Sequence, residues 1–190
     1  MFETCEQVLD IGEGLRVRKD SGNRFDEDRA WLLPLIQKVT YQVMDSVPDY
    51  KPDIVGDIHA MPFPDNSLSA IICLAVLEHV ENPIKAMEEM HRTLKLNGKL
   101  LIYVPFLYYY HAFPGYYPDY WRFTVDTLHM FAKPFTMHEI VAVRLPIETL
   151  VRLTLFGRYS IPIWLAQKLD TVLYKNGSNQ VSGYYMYLEK

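Results

Sequence analysis

The sequence predicts an α/β fold with a mostly parallel β-sheet, and three observations support this. Short apolar runs, typical of buried parallel strands, recur at residues 7–11, 68–75 and 99–104, and residues 39–44 carry the β-branched and aromatic residues of a further strand. Segments with helical spacing of apolar residues lie between or after them. Glycine, proline and asparagine mark the turns that separate the two kinds of segment. Strands that alternate with helices imply that the helices pack in layers on one sheet. In sheets of this kind, ligands bind beyond the carboxyl ends of the strands.

Length and composition are those of an ordinary globular protein. The 190 residues are 49% hydrophobic and 22% charged, and we expect a single domain over residues 1–190. The net charge of -4 provides no basic surface for nucleic acid. Only Cys5 and Cys73 are present, and neither a signal peptide nor a spanning segment is visible, so we expect a cytoplasmic protein in a reducing compartment.

The first strand, residues 7–11, is stopped by Gly12-Glu13-Gly14. Residues 28–39 have a helical spacing that Pro34 interrupts, and the second strand ends at Asp45. A short extended piece at residues 54–55 precedes the central strand at 68–75.

In the second half, Asn82 is expected to cap a helix that Asn97-Gly98 stops, and a strand follows at residues 99–104. Thr124 is expected to cap the next helix, which runs to about Lys133. The remaining predicted elements are a strand at 135–143, helices at 145–156 and 161–174, a turn at Asn176-Gly177-Ser178 and a strand at 181–188. We expect the two apolar helices to pack in the core, with a dimer or membrane-surface contact as alternatives.

Three features at predicted strand ends suit a nucleotide-like ligand. Gly12 and Gly14 permit a close approach to the backbone, although a simple turn has the same pattern. Asp45 is placed to accept hydrogen bonds from ribose hydroxyls, and an ordinary surface-turn aspartate is an equal alternative. The side chain of Asp57 and the adjacent amide of Ile58 are suited to the edge of an adenine.

The order of these motifs resembles that of class I S-adenosylmethionine-dependent methyltransferases. It runs from Leu-Asp-Ile-Gly-x-Gly through Gly-Asp, Pro-Phe-Pro-Asp-Asn-Ser and Leu-Glu-His-Val to Leu-Lys-x-x-Gly and a strand ending in Val-Pro. The later Tyr-Pro-Asp-Tyr-Trp-Arg-Phe-Thr at 117–124 resembles a subgroup of small bacterial members often associated with surface-glycan synthesis. The resemblance implies a Rossmann-like three-layer sandwich whose sheet ends in an antiparallel C-terminal strand. It also implies S-adenosyl-L-methionine as cofactor.

Carried over position by position, the resemblance implies contacts for each part of the cofactor. The methionine part would be contacted by Asp10, Gly12 and Gly14, its amine by the backbone of Leu74 and Ala75, the ribose by Asp45, and the adenine by Asp57 and Ile58. Glu13 departs from the pattern, which usually has a small residue or cysteine there. Its carboxylate would repel that of the cofactor unless it is turned away or paired with Arg16 or Arg18.

The acceptor is expected to bind at the aromatic segment, residues 103–123, which follows the last central strand. Aromatic faces suit sugars or planar groups, and arginine suits a phosphate or carboxylate. The substrate-binding candidates are Tyr110, Asp119, Tyr120 and Arg122. Aromatic packing of a lid and a structural pair between Asp119 and Arg122 are the open alternatives.

His111 and His79 are the candidate general bases, because histidine titrates near neutral pH. Capping or packing is the alternative role of His79. The other histidines form no ligand-like cluster in the sequence, so no metal is expected.

The sequence therefore predicts an enzyme that transfers a methyl group to a small-molecule or glycan-linked acceptor, at oxygen. The alternative is a catalytically silent methyltransferase-like module that binds or regulates a partner. A nicotinamide-binding domain would need a third glycine and a helix directly after the loop, and residues 15–25 offer neither. A homodimer is also considered: the given sequence begins close to its first strand, so we expect the helix that often covers the cofactor in the resembling family to be absent or supplied by another subunit.

Overall fold

The protein is described by a computed structural model that covers residues 1–18, 25–174 and 177–190. These residues form a seven-stranded sheet with the strand order β3-β2-β1-β4-β5-β7-β6. The strands are β1 (Gln7–Ile11), β2 (Thr40–Asp45), β3 (Ile54–Val55), β4 (Leu68–Leu74), β5 (Leu94–Pro105), β6 (Met137–Val143) and β7 (Gly183–Glu189). Asn176, in the predicted turn before β7, lies outside the described residues.

The sheet is parallel except for β7, which is antiparallel to both of its neighbours, β5 and β6. The predicted fold class and the antiparallel C-terminal strand are therefore confirmed. Strand order reverses between β1 and β4, which pair in parallel. Such a reversal opens a crevice at the carboxyl ends of the two strands, where ligands of this fold class bind.

Alternate residues of each strand face opposite layers, as a buried sheet requires. Leu9 and Ile71 belong to the core beneath α2 (Pro83–Thr93) and α3 (Val125–Ala132). Val8 and Ile72 belong to a second core on the other face, which includes residues of α1 (Leu33–Ile36). Helices on both faces give the expected three layers.

Side-chain caps set the starts of α2 and α3. Asn82 accepts a hydrogen bond from the Lys85 amide at 3.0 Å, and Thr124 accepts one from the Thr127 amide at 3.4 Å. Both predicted caps are confirmed, and each satisfies an amide that has no partner within its helix.

Two helix boundaries differ from the sequence prediction. Residues 28–39 do not form one helix: a 3-10 helix at Glu27–Leu32 leads into the single turn of α1, with Pro34 near its start, where the missing N–H costs nothing. Helix α2 ends at Thr93 rather than near Asn97, because Leu94 is buried and pairs with Leu68 of β4. The burial of Leu94 in the sheet therefore ends the helix before the Asn97-Gly98 stop that the sequence predicted.

The segment between β6 and β7 contains α4 (Pro146–Arg152), a 3-10 helix at Leu155–Arg158 and α5 (Ser160–Leu173). The sequence favoured core packing for these helices, and this was wrong for most of their apolar residues, which lie exposed. Within the described ranges, no helix has the length and apolar character needed to cross a bilayer.

Candidate functional site

A cavity of about 750 Å³ opens at the carboxyl ends of the parallel strands. It is lined by the loop after β1, the end of β2, residues 56–59, the segment after β4 and part of the aromatic segment. Its position is the one that the strand-order reversal predicts. One end is formed by backbone and small residues, and the other by aromatic rings and histidines.

The loop after β1 is held by the buried Asp10. Its Oδ1 accepts from the Gly14 amide at 2.9 Å, and its Oδ2 accepts from the Leu15 amide at 3.0 Å and from the Tyr41 hydroxyl at 2.6 Å. Burial raises the pKa of Asp10 to about 6, although these hydrogen bonds oppose the rise. Asp10 does not line the cavity. The hydrogen bonds give Asp10 a positioning role in this loop, and its expected contact with the methionine part of a cofactor stays a prediction.

Gly12 and Gly14 line the cavity and need to be glycines. Gly12 has a φ of 74°, and a Cβ there would lie 2.6 Å from Val76 Cγ2. At Gly14 a Cβ would lie 2.7 Å from Leu74 Cβ and 3.1 Å from its carbonyl oxygen. A side chain at either position would fill the cradle between the loop and the end of β4.

Glu13 lies in this loop with a φ of 49° and is 2% exposed. It is absent from the cavity wall, so its side chain is turned away from the space that the two glycines line. Two arginines, Arg16 and Arg29, line the cavity at this end. Arg29 Nη1 donates to the carbonyl oxygen of Gly14, which fixes that guanidinium against the loop. Arg29 is also paired with Asp26 at 3.1 Å, and Arg16 is a second cation at this end that suits a carboxylate.

Leu74 and Ala75 line the opposite side of this cradle, as expected from the sequence. Ala75 has a left-handed φ of 56° directly after β4, and its amide donates to the Tyr103 carbonyl at 3.0 Å. The chain therefore turns sharply at this point, and the backbone at the end of the central strand forms part of the cavity wall.

Asp45 lies at the end of β2 and lines the cavity. Its Oδ1 accepts from the Val47 amide at 2.8 Å, and partial burial raises the pKa of its carboxyl group. Hydrogen bonds from the Val47 amide and from the Ser46 amide both oppose that rise, and the Val47 bond orients the side chain at the cavity wall.

Asp57 and Ile58 line the cavity beyond Asp45. Asp57 Oδ1 accepts hydrogen bonds from the His59 backbone amide at 2.9 Å and from His59 Nδ1 at 2.7 Å. The hydrogen bond from the backbone amide is the main reason that the pKa of the Asp57 carboxyl group is lowered. Ile58 begins a single 3-10 turn, so its amide has no partner within that turn. A carboxylate and a free amide on adjacent residues form the donor and acceptor pair that the sequence suggested.

The other end of the cavity brings Glu78, His79 and His111 together. His79 Nδ1 is 2.6 Å from the Pro118 carbonyl and His111 Nδ1 is 3.1 Å from the Tyr109 carbonyl, so both Nδ1 atoms carry the proton. Their Nε2 atoms face Glu78 Oε1 at 3.9 Å and 3.6 Å.

Glu78 is 1% exposed, and its Oε2 has no hydrogen-bond partner among the described residues. The Glu78 carboxylate is the largest cause that raises the pKa of His111 above its ordinary value, with smaller contributions from the Tyr109 carbonyl and Asp119. A buried carboxylate with a free oxygen beside two imidazoles is a proton-transfer arrangement.

Asp119 and Arg122 form a bidentate pair, Nη1 to Oδ1 at 2.6 Å and Nη2 to Oδ2 at 2.8 Å. Arg122 also donates to the carbonyl oxygens of Tyr108, Tyr109 and Trp121. The guanidinium is therefore fully used, and the pKa of Asp119 is held well below its usual range by the Arg122 hydrogen bond.

The expectation that Asp119 and Arg122 bind the acceptor is corrected, since neither lines the cavity. They hold the loop that carries His111, whose amide donates to Asp119 Oδ2 at 2.8 Å. Tyr110 is 75% exposed and also lies outside the cavity wall, because its ring points to solvent. Of the four acceptor candidates, Tyr120 lines the cavity.

Several cavity residues were missed by sequence reasoning. Glu78 follows the apolar residues Ala75, Val76 and Leu77 shortly after the central strand, and an acid in that position was an available signal. Arg144 lines the cavity from the end of β6 with a left-handed φ of 57°, and nothing in the local sequence indicated this. Tyr103, Tyr108, Tyr116 and Tyr117, which also line the cavity, lie in the predicted aromatic segment, whereas Tyr50 and Tyr185 were missed.

Glu78, His79 and His111 also have the residue types of a metal site, with one possible ligand atom from each lying within 4.8 Å of the others. The sequence led us to expect no metal, and that expectation stays a prediction.

A family model described as a methyltransferase domain matches residues 37–102. An uncharacterized protein of Methanocaldococcus jannaschii is 45% identical over 51 residues, which cover 27% of this chain and 22% of that protein. A demethylmenaquinone methyltransferase of Renibacterium salmoninarum is 44% identical over 55 residues, which cover 27% of this chain and 23% of that protein. The matched stretch thus spans about a quarter of the length of these curated relatives.

Among solved structures, a methyltransferase from Archaeoglobus fulgidus that depends on S-adenosylmethionine superposes with a TM-score of 0.65. It is 16% identical, and the alignment covers 100% of this chain and 88% of that one. A possible histamine N-methyltransferase from Thermotoga maritima superposes with a TM-score of 0.53 at 14% identity, and the alignment covers 97% of this chain and 82% of that one. These similarities show a shared fold. The family-model match shows in addition that residues 37–102 are similar to a methyltransferase domain.

Proposed function

We propose that this protein transfers a methyl group from S-adenosyl-L-methionine to an oxygen atom of a small-molecule or glycan-linked acceptor, in the cytoplasm. The observation that carries the proposal is that one cavity contains both a glycine cradle with two acidic side chains and a buried glutamate beside two histidines. The first group suits the cofactor, and the second suits an acceptor whose proton must be removed.

The chain's residues fit the cofactor at each end. The cradle of Gly12 and Gly14 leaves room for the methionine part, and Arg16 provides a cation for its carboxylate. Asp45 would hold the ribose hydroxyls, and Asp57 with the Ile58 amide would bind the adenine edge. The bound sulfonium would supply the methyl group.

His111 would act as the general base. Its Nδ1–H is held by the Tyr109 carbonyl, so its Nε2 is free to accept the proton of an acceptor hydroxyl. The Glu78 carboxylate stabilises the imidazolium that results. Asp119 positions the ring, because its Oδ2 accepts from the His111 amide and lies 3.2 Å from Nδ1. His79, held by the Pro118 carbonyl, presents a second Nε2 to the same carboxylate and provides an onward site for the proton.

Aromatic rings and one cation define the acceptor end. Tyr103 and Tyr185 pack with ring centroids 5.0 Å apart, and Arg144 lies beside them in the cavity wall. Rings suit the apolar face of a sugar, and an arginine suits a carboxylate or phosphate. We infer that Arg144, rather than Arg122, binds any anionic group of the acceptor.

The alternative of a silent module was motivated by Glu13 and by the short segment before the first strand. Because that side chain is buried away from the cavity wall, the expected repulsion of the cofactor carboxylate has no structural basis.

The test is to incubate the full chain with S-adenosylmethionine and a panel of sugars and sugar phosphates that carry free hydroxyls, and to measure S-adenosylhomocysteine release. We expect acceptor-dependent release that disappears in His111→Ala while cofactor binding is retained. Cofactor binding without release on any hydroxyl acceptor would favour the silent module.

A further inference from the structure

The segment between β6 and β7, residues 145–174, forms a helical hairpin that we call the apolar hairpin. Eleven of its large apolar side chains are between 44% and 78% exposed: Leu150, Leu153, Leu155, Phe156, Tyr159, Ile161, Trp164, Leu165, Leu169, Val172 and Leu173. Exposed apolar surface concentrated in one segment marks an interaction site rather than ordinary surface.

The hairpin is held together by its own buried polar groups. Asp170 accepts from the backbone amides of Ile147 at 3.0 Å and Glu148 at 2.8 Å, which ties the start of α4 to α5. Glu148 accepts from Arg152 Nε at 2.7 Å. The apolar exterior therefore belongs to a defined structure, and the hairpin does not need its exposed side chains to hold its shape.

Its exposed charge is positive although the chain as a whole carries -4. Glu148 and Asp170 are the only acids in residues 145–174, and both are buried. Arg158 and Lys168 are exposed, and Lys168 Nζ lies 6.0 Å from the centroid of the Trp164 ring. Aliphatic side chains mixed with tryptophan and cations, without exposed acids, are the composition of helices that lie in the surface of anionic membranes.

The same charge argues against a second copy as the occupant. A two-fold dimer through the hairpin would bring the cations of both copies into one interface, where residues 145–174 supply no exposed acid to pair with them. An anionic lipid surface both covers the apolar side chains and neutralises the cations. We propose that the apolar hairpin docks this protein on the surface of an anionic bilayer.

Docking would also place the cavity near the bilayer, since Arg144 lines the cavity and the hairpin begins at the next residue. If the proposed methyl transfer holds, the acceptor is then one that a lipid carries. This consequence rests on the proposed function, whereas the docking itself does not.

The experiment is sedimentation of the full chain with vesicles of phosphatidylcholine alone and of phosphatidylcholine mixed with phosphatidylglycerol. We expect sedimentation with the anionic vesicles, weakened by salt, and a blue shift of tryptophan fluorescence that Trp164→Phe abolishes. Replacing Arg158 and Lys168 by glutamine should weaken vesicle binding by about fivefold for each cation.

A second variant, Ile161→Ser with Val172→Ser, should weaken vesicle binding by about tenfold or more. Leu96→Ser is the matched control, because Leu96 is 77% exposed but lies in β5 outside the hairpin. Failure of the wild-type chain to bind anionic vesicles would overturn the proposal. So would equal binding by all variants, or a concentration-dependent dimer without vesicles that Ile161→Ser/Val172→Ser abolishes. None of these measurements depends on methyl transfer.

Discussion

The two ends of the cavity are built in different ways. The cofactor end consists of strand termini, glycines and backbone groups, with Asp10 bonded to amides only four and five residues away. The acceptor end is built by side chains that meet across long separations, such as Glu78 and His111. A local sequence motif therefore specifies the cofactor end. The acceptor end depends on the path of the loop that brings His111 to Glu78. Substitutions at the two ends should separate cofactor binding from turnover.

The largest expected effect is on turnover in His111→Ala. Loss of a general base should lower kcat by about 10²- to 10⁴-fold, while the cofactor dissociation constant stays unchanged. Steady-state kinetics and calorimetry measure the two quantities. His129→Ala, an exposed histidine outside the cavity, is the control and should retain full activity. Equal loss of cofactor binding in His111→Ala would contradict the separation of the two ends.

The next effect is on stability, in Arg122→Gln. This change leaves the Asp119 carboxylate, whose side chain is 0% exposed, without its bidentate partner. The free energy of unfolding should fall by about 1.5 to 3 kcal/mol, measured by urea denaturation. Arg158→Gln, at an exposed arginine of the apolar hairpin, should leave it unchanged. If Arg122→Gln left stability intact and only raised KM, Arg122 would bind the acceptor after all.

Asp57→Ala tests the cofactor end. Loss of an acceptor for the adenine amine should weaken cofactor binding by about 1 to 3 kcal/mol, with little change in kcat at saturating cofactor. Asp126→Ala, an exposed acid in the first turn of α3, serves as the control. Unchanged calorimetric affinity in Asp57→Ala would remove this residue from the site.

The smallest effect is a change in pH dependence in Glu78→Gln. The Glu78 carboxylate raises the pKa of His111, and a base must be neutral to act, so wild-type activity should fall as the pH drops through that raised pKa. Removing the negative charge lowers the pKa, and the acidic limb of kcat should move to lower pH. Glu88→Gln, an exposed acid on α2, should leave the profile in place. A shift to higher pH would contradict the assignment.

Chelation distinguishes proton transfer from metal binding at the same three residues. Activity after dialysis against EDTA should equal that of the untreated protein. Loss of activity that a divalent cation restores would replace the proton-transfer role of Glu78, His79 and His111 with a metal site.

The sequence predicted the fold and most of the cofactor end because their signals are local. Strand periodicity and glycines at strand ends placed Gly12, Asp45 and Asp57 in the cavity wall. It misplaced Arg122, because only the loop's path shows that every donor of that guanidinium is occupied. The apolar hairpin was misjudged for a related reason, since an apolar helix in the core and one that faces outward have the same composition.

The central claim is that the cavity binds S-adenosyl-L-methionine, and calorimetric titration of the full chain with that cofactor tests it most directly. We predict saturable binding at one site per chain, weakened in Asp57→Ala and retained in His111→Ala. The account would be contradicted if titration at high cofactor concentration released no heat of binding and showed no competition with S-adenosylhomocysteine. Circular dichroism would first establish that the chain is folded.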